Sequence, residues 1–175
     1  KDKNMSESII YGIKKGKKSI ALKDLPNSHG WGTVIWKPYF KHYLGIDTSK
    51  TYPTDEMYDR LWPLYKDSRL PEHHKTVLCA SYDHTVIPVE KVYDFCKDLD
   101  MWQKDFGKDI EGYVNHIPET SAFLKEAKLK KFDFIGIQTT NIVENHYDIN
   151  WNPNGRRRVS PEQIRSIYDI IEPYK

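Results

Sequence analysis

The chain has 175 residues, a formal net charge of +2, 38% hydrophobic residues and 30% charged residues. This composition is globular rather than disordered, and a chain of this length buries a core without disulfides or metals, so we expect one domain over residues 1–175. The small net charge argues against general attraction to nucleic acid or membrane surfaces, and no apolar run reaches the roughly 20 residues of a membrane span.

The beginning of the chain predicts a β-hairpin. Two runs of β-forming residues, Ser8–Ile13 and Lys18–Leu22, flank a lysine-rich turn in which Gly16 takes the positive-φ position. Residues 1–4 precede Met5 and are expected to be a remnant foreign to the natural chain or a disordered tail.

Two helices are predicted next. Apolar residues at irregular helical spacing predict one helix from about Trp31 to a stop at Gly45, with a strand over Thr33–Trp36 as the competing interpretation. Thr54 is a suitable N-cap for the following helix, Asp55–Tyr65, whose acidic first turn suits the positive end of the helix dipole.

The middle of the chain carries the strongest pattern. The apolar run at 76–82 does not alternate, which is typical of a strand buried on both faces. Pro88 then starts a helix whose apolar residues continue at helical spacing to Leu99. Cys79 and Cys96 lie on these apolar faces, so we expect reduced core cysteines in a cytoplasmic protein.

The second half of the chain predicts a loop over Asp100–Asn115, a helix over Glu119–Lys130 and a strand over Phe132–Gln138. Gly136 within that strand indicates a bulge or a close packing partner. A capping box at Ser160–Gln163 precedes a C-terminal amphipathic helix. Together these elements predict an α+β (or α/β) domain, with helices packed on a small central mixed sheet.

Polar residues follow the two most convincing predicted strands, 76–82 and 133–138. If these strands are parallel neighbours, their carboxyl ends share one rim, where open α/β sheets bind ligands. His84 would act there as a general base held by Asp83, with His29 joining from an earlier loop. The competing interpretation makes Asp83 a backbone cap and His84 a surface turn residue. The ligand-binding candidates at this rim are Thr139, Thr140 and Asn141.

The loop at 24–32 is the most site-like segment by composition. Asn27 and Ser28 precede Gly30, and glycine lets the backbone approach a ligand closely. If the next helix begins near Trp31, its exposed N–H groups favour an anion at this loop. Ordinary helix capping by Asn27 or Ser28 is the competing interpretation.

Two further clusters suggest macromolecular contacts. Arg156, Arg157 and Arg158 precede the C-terminal helix, and a basic arm leading into a helix is typical of DNA-binding modules. A solvated basic turn is the alternative. The candidates for an exposed aromatic surface that binds a protein partner are Trp31, Trp36 and Tyr39.

No cofactor or metal site is predicted. The chain has no P-loop or dinucleotide fingerprint, and its histidines and cysteines lack the spacings of common metal motifs. His73 and His74 are adjacent, and on a strand they would face opposite sides.

We therefore expect a small intracellular binding or regulatory protein directed at an anionic ligand or partner: nucleic acid, a nucleotide or an acidic protein. The basis is the local lysine and arginine clusters, the 13% aromatic content and the lack of a catalytic motif. One alternative is a hydrolase or transferase that acts on a phosphorylated substrate at Asp83 and His84. Another is a structural or oligomeric component without a ligand.

Overall fold

The computed structural model describes residues 6–82, 84–140, 147 and 164–175, which form a five-stranded mixed sheet and six α-helices. The strands are β1 (Glu7–Ile13), β2 (Ile20–Pro26), β3 (Thr85–Pro88), β4 (Phe134–Gln138) and β5 (Arg165–Ser166). The helices are α1 (Thr33–Leu44), α2 (Asp55–Leu61), α3 (Glu72–Ala80), α4 (Val92–Phe106), α5 (Ile117–Glu126) and α6 (Ile167–Ile171). Short 3-10 turns lie at Ser28–Trp31, Trp62–Lys66, Val89–Lys91, Gly107–Ile110 and Glu172–Tyr174. The predicted α+β fold, with its N-terminal hairpin and C-terminal helix, is confirmed.

The sheet has the order β2-β1-β4-β3-β5. All neighbouring strands pair antiparallel except β5, which pairs parallel with β3. In the register of the central strands, Ile10 of β1 lies opposite Ile137 of β4, and Val86 of β3 lies opposite Gly136. The start of β3 therefore lies beside the end of β4.

Alternating side chains give the sheet two apolar faces. Ile10, Ile87 and Ile137 belong to the main core, which includes buried residues of all six helices. Tyr11 and Val86, one residue along their strands from Ile10 and Ile87, belong to a smaller cluster on the opposite face. This is the period of two expected for strands buried on both sides. Two layers of packing thus fix the central strands.

Several local predictions are confirmed where turn and cap residues set the backbone. Gly16 (φ 76°) lies in the hairpin turn, and Gly45 (φ 66°) ends α1 in the left-handed region where glycine is unstrained. Thr54 caps α2, its hydroxyl accepting from the Met57 N–H at 3.2 Å. Cys79 and Cys96 are buried free thiols.

The strand predicted at 76–82 is wrong, because residues 76–80 belong to α3 and residues 81–82 follow the end of that helix. Every residue from His74 to Ala80 is buried, so the helix is enclosed on all sides from His74 onward. A continuous apolar run cannot distinguish a buried helix from a doubly covered strand by periodicity. The real strand, β3, comes directly afterwards and is antiparallel to β4, so the assumed parallel pair does not exist.

Other boundaries shift with this change. The helix predicted to start at Pro88 begins at Val92 and runs on to Phe106, into the segment predicted as a loop. The C-terminal helix begins at Ile167, where the Ser166 hydroxyl accepts from the Tyr168 N–H. The predicted capping box at 160–163 lies outside the described residues.

Gly136 lies beneath the ring of Tyr147, and a Cβ at this position would overlap the ring atoms. The Tyr147 hydroxyl donates to the Thr85 carbonyl at 3.0 Å, so the ring cannot move away freely. We expect Gly136→Ala to cost about 1–3 kcal/mol in the free energy of unfolding, measured by urea denaturation. In a Tyr147→Ala background the same change should cost much less, and an equal cost in both backgrounds contradicts this packing.

Asp98 of α4 is a destabilising carboxylate at neutral pH. Burial raises the pKa of its side chain to about 6, the Glu72 carboxylate adds to the rise, and a hydrogen bond from Thr76 opposes it. Because the folded chain holds this proton more tightly than the unfolded one, stability falls as pH rises from about 4 to about 6.

We therefore expect Asp98→Asn to raise the free energy of unfolding by about 1–2 kcal/mol at pH 7.5 and to have little effect at pH 4. Thermal or urea unfolding at both pH values measures the difference. Asp59→Asn, at an exposed position of α2, is the control, because Asp59 is not among the charges that shift the pKa of Asp98. If Asp98→Asn raises the free energy of unfolding equally at both pH values, the pKa of Asp98 is not raised in the folded chain.

Candidate functional site

A cleft of about 580 Å³ opens beside the first half of α1. Its walls come from α1 and the loop before it, from segment 48–53 and from loop 112–114. We call it the aromatic cleft, because five of its lining side chains are Trp36, Phe40, Tyr52, Tyr58 and Tyr113.

Ring contacts hold Trp36 and Tyr58 in place in the cleft wall. Trp36 meets Tyr58 edge-on at 5.6 Å and Trp62 edge-on at 5.1 Å between centroids. Tyr58 and Trp62 stack at 5.5 Å, and the Trp36 Nε1–H donates to the Ser81 hydroxyl at 2.8 Å. Such edge-on and stacked pairs are favourable ring geometries. This wall of the cleft is therefore preorganised for a ligand.

The rest of the cleft lining includes exposed rings and two lysines. Tyr52 is 92% exposed and Tyr113 is 47% exposed. The Lys37 ammonium lies 4.8 Å from the Tyr113 ring centroid and 3.4 Å from the Thr48 carbonyl oxygen, so it bridges the two loops. Lys50 is exposed on segment 48–53. Among the described residues that line the cleft there is no Asp or Glu, although the Asp47 carboxylate just outside it interacts electrostatically with Lys50 and Lys37.

The loop before α1 is held by His116 at the start of α5. The His116 Nε2–H donates to the carbonyls of Pro26 (2.7 Å) and Asn27 (3.0 Å), and the Gly30 carbonyl accepts from the His116 backbone N–H at 3.0 Å. Asn27 adopts φ 67°, a strained value for a non-glycine residue, and its side-chain oxygen accepts from the His29 N–H. The loop geometry at the mouth of the cleft is therefore fixed from α5.

Only some residues of the predicted anion-binding loop line the cleft. Asn27 and His29 line the aromatic cleft. His29 is exposed, and its Nδ1 lies 2.9 Å from the Thr33 hydroxyl. Ser28 and Gly30 are buried behind them: the Ser28 hydroxyl contacts that of Ser6, and a Cβ on Gly30 would collide with the His116 ring.

Of the predicted rim residues, His84, Thr139 and Thr140 lie at the same end of the central strands, because β3 and β4 are antiparallel rather than parallel neighbours. His84 precedes β3 with φ 80°, and antiparallel pairing brings the start of β3 to the end of β4. Thr139 follows β4: its hydroxyl donates to the Ser81 carbonyl at 3.3 Å, and its carbonyl accepts from Ser8 Oγ at 2.5 Å. The Thr140 carbonyl accepts from the Gln138 amide at 2.8 Å. Asp83 and Asn141 lie outside the described residues, as do the arginines at 156–158.

The predicted aromatic surface for a protein partner needs correction. Trp31 and Tyr39 are fully buried, because they point from α1 and its preceding turn into the main core. Trp36 is partly exposed, and it lines the aromatic cleft rather than a flat patch.

The residues that supply the lysines and exposed rings of the cleft were not predicted from the sequence: Lys37, Lys50, Tyr52 and Tyr113. They lie on different segments, and only the fold brings them together. The high aromatic content was the single sequence signal that pointed toward such a surface.

The chain matches no protein-family model, and no significant similarity links it to a curated protein or to a solved structure. Within the described part of the chain, no helix has the length and apolar character needed to cross a membrane.

We expect His116→Ala to lower the free energy of unfolding by about 1–2 kcal/mol, because the Pro26 and Asn27 carbonyls lose their partly buried donor. It should also speed hydrogen exchange at the Gly30 amide, which bonds to the Asn27 carbonyl at 3.1 Å. His29→Ala, at an exposed histidine of the same loop, should stay within about 0.5 kcal/mol of wild type. Equal effects of the two changes contradict the anchoring role of His116.

Proposed function

We propose that this protein is a binding module for a nucleotide, either free or as a unit of single-stranded nucleic acid, and that the ligand occupies the aromatic cleft. The observation that carries the proposal is the cleft's composition: rings and lysines together on one concave surface, without a carboxylate among its described lining residues.

The rings suit the base of such a ligand. Trp36 and Tyr58 form a rigid wall, and Tyr113 offers an exposed face. Stacking of a base on an aromatic side chain contributes about 1–3 kcal/mol and is tolerant of sequence, because every base has a π-face. A cleft of about 580 Å³ also lies in the range of small-ligand sites.

The cations suit the phosphate. Lys37 of α1, Lys50 of segment 48–53 and His29 of the loop before α1 all line the cleft. The N-terminus of α1, a 12-residue helix, adds partial positive charge, and its N-cap Gly32 provides no side-chain cap. Phosphate binding through these groups is electrostatic and therefore sensitive to salt.

The proposed ligand is an anion, as predicted from the sequence. Its proposed site is the aromatic cleft beside α1 rather than the rim at His84. Nucleotides and nucleic acids are ligands of the cell interior, which agrees with the cytoplasmic location expected from the sequence. An acidic protein segment would use the lysines of the cleft but not its stacking faces.

Binding of a short labelled oligothymidylate, followed by fluorescence anisotropy with ATP as competitor, tests the proposal. For two lysine–phosphate contacts we expect the logarithm of affinity to fall with the logarithm of salt with a slope of about −1.4. Tyr113→Ala should weaken binding by at least about fivefold through lost stacking. Lys37→Gln should weaken it by about three- to tenfold and flatten the salt slope.

Lys17→Gln is the matched control, because it removes an exposed lysine from the hairpin turn rather than from the cleft. Thermal unfolding shows whether each variant keeps its fold. If Lys17→Gln weakens binding as much as Lys37→Gln does, or if Tyr113→Ala binds like wild type, the ligand does not occupy the aromatic cleft.

A further inference from the structure

Three potential metal ligands converge at the far end of α1 from the aromatic cleft. His73 and His74 occupy the first turn of α3, and Asp105 lies in the last turn of α4. The Asp105 Oδ2 atom accepts from His73 Nε2 at 2.6 Å and from His74 Nε2 at 2.8 Å. All three donor atoms lie within 4.8 Å of one another.

No metal site was predicted from the sequence, partly because the element that carries the two histidines was assigned wrongly. His73 and His74 were expected on an extended segment, where adjacent side chains point apart. On the first turn of α3 the two rings instead lie 4.5 Å apart between centroids, and both reach one carboxylate.

The cluster is held rigidly on its inner side. The His74 ring packs on Phe106 at 4.2 Å between centroids and meets Tyr39 edge-on at 6.5 Å. Its side chain is only 8% exposed and that of His73 is 12% exposed, whereas Asp105 is 41% exposed. The inner ligands are thus preorganised, and the carboxylate side remains open to solvent.

Metal-binding histidines normally have a hydrogen-bond partner at the ring nitrogen that does not bind the ion, and Tyr43 supplies this partner for His74. Its hydroxyl lies 2.7 Å from His74 Nδ1. While His74 Nε2–H donates to Asp105, Nδ1 accepts from this hydroxyl. If Nε2 bound a metal ion, the ring proton would move to Nδ1 and donate to the same hydroxyl oxygen. A tyrosine hydroxyl can either donate or accept a hydrogen bond, so Tyr43 can stabilise either tautomer of His74.

The protonation states suit a cation. Burial lowers the pKa of His74 to about 4, so the ring is neutral at pH 7. The hydrogen bond from His73 lowers the pKa of Asp105 below its usual value, so the carboxylate is ionised. Metal ligands must be deprotonated in this way before they bind.

A neighbouring pair shows what distinguishes this cluster. Asp109 also accepts from a histidine, His42, at 2.8 Å, but the Lys41 ammonium lies 3.0 Å from the same carboxylate. That carboxylate is already neutralised by a fixed cation. In the described part of the chain, the ion-pair partners of Asp105 are His73 and His74.

We propose that His73, His74 and Asp105 form a binding site for a divalent transition metal ion of the zinc type. Two imidazole nitrogens and one carboxylate oxygen make a three-ligand set that leaves a fourth position for water or a further ligand. A tetrahedral ion with bonds of about 2.0–2.1 Å needs its ligands about 3.3 Å apart. The Asp105 oxygen must therefore lie about 0.5–0.7 Å farther from each histidine nitrogen than it does here, which the 41% exposed Asp105 side chain allows by rotation.

The test uses the full chain without a histidine tag, freed of metal by dialysis against a chelator. Isothermal titration with Zn²⁺, and with Co²⁺ followed by its visible absorption, measures affinity, stoichiometry and coordination. We expect one ion per chain, with tetrahedral Co²⁺ bands. Asp105→Asn and His73→Gln should each weaken Zn²⁺ binding by more than about tenfold, and Tyr43→Phe by about tenfold.

Asp109→Asn is the matched control, since it changes a carboxylate that also accepts from a histidine but lies outside the cluster. It should leave Zn²⁺ affinity unchanged. Circular dichroism of the metal-free variants checks the fold, and His73→Gln covers the case in which Asp105→Asn does not fold. Fewer than one bound ion per chain, or wild-type Zn²⁺ affinity in a folded Asp105→Asn or His73→Gln variant, overturns the proposal.

Discussion

One buried hydroxyl ties together the three helices on which the rest of the structure depends. Tyr39 of α1 is fully buried, donates to the His74 carbonyl of α3 at 2.5 Å and accepts from the Trp102 indole N–H of α4 at 3.0 Å. Burial raises the pKa of the Tyr39 hydroxyl well above its usual value, so it keeps the proton that it donates. Losing either partner would leave a polar group unsatisfied in an apolar core, which is costly.

Both candidate sites follow from this anchoring of α1. Three residues before Tyr39, Trp36 lines the aromatic cleft, and the loop that leads into the helix is held by His116. One turn after Tyr39, Tyr43 contacts His74 in the metal-ligand cluster. The two sites lie at opposite ends of one rigid helix and share its packing, although their proposed ligands differ.

The sequence predicts the fold well where local chemistry decides the backbone. Gly45 ends α1, Thr54 caps α2 and Gly136 indicates a close packing partner, because turns, caps and tight contacts demand particular residue types at particular positions. The strand prediction at 76–82 is wrong because a helix that is buried on all sides is apolar all round. It lacks the 3.6-residue alternation of apolar and polar residues that would have identified α3.

The candidate sites were less predictable because they are built from long-range contacts. Lys37 meets Tyr113 across 76 positions of sequence, and His74 meets Asp105 across 31. No spacing rule connects such residues before the helices are placed. The early loop is the exception: Asn27 and His29 were identified as candidates by composition, and both lie at the cleft.

Chemical-shift mapping by ¹H–¹⁵N NMR during a titration with ATP tests most directly whether the aromatic cleft is the ligand site. We predict that the largest amide shifts fall at residues 33–37, 48–52 and 112–114, with little change in the lysine-rich hairpin turn at 14–17. Shifts concentrated at 14–17 or at the rim residues 138–140, or no shift up to millimolar ATP, would contradict a nucleotide site beside α1.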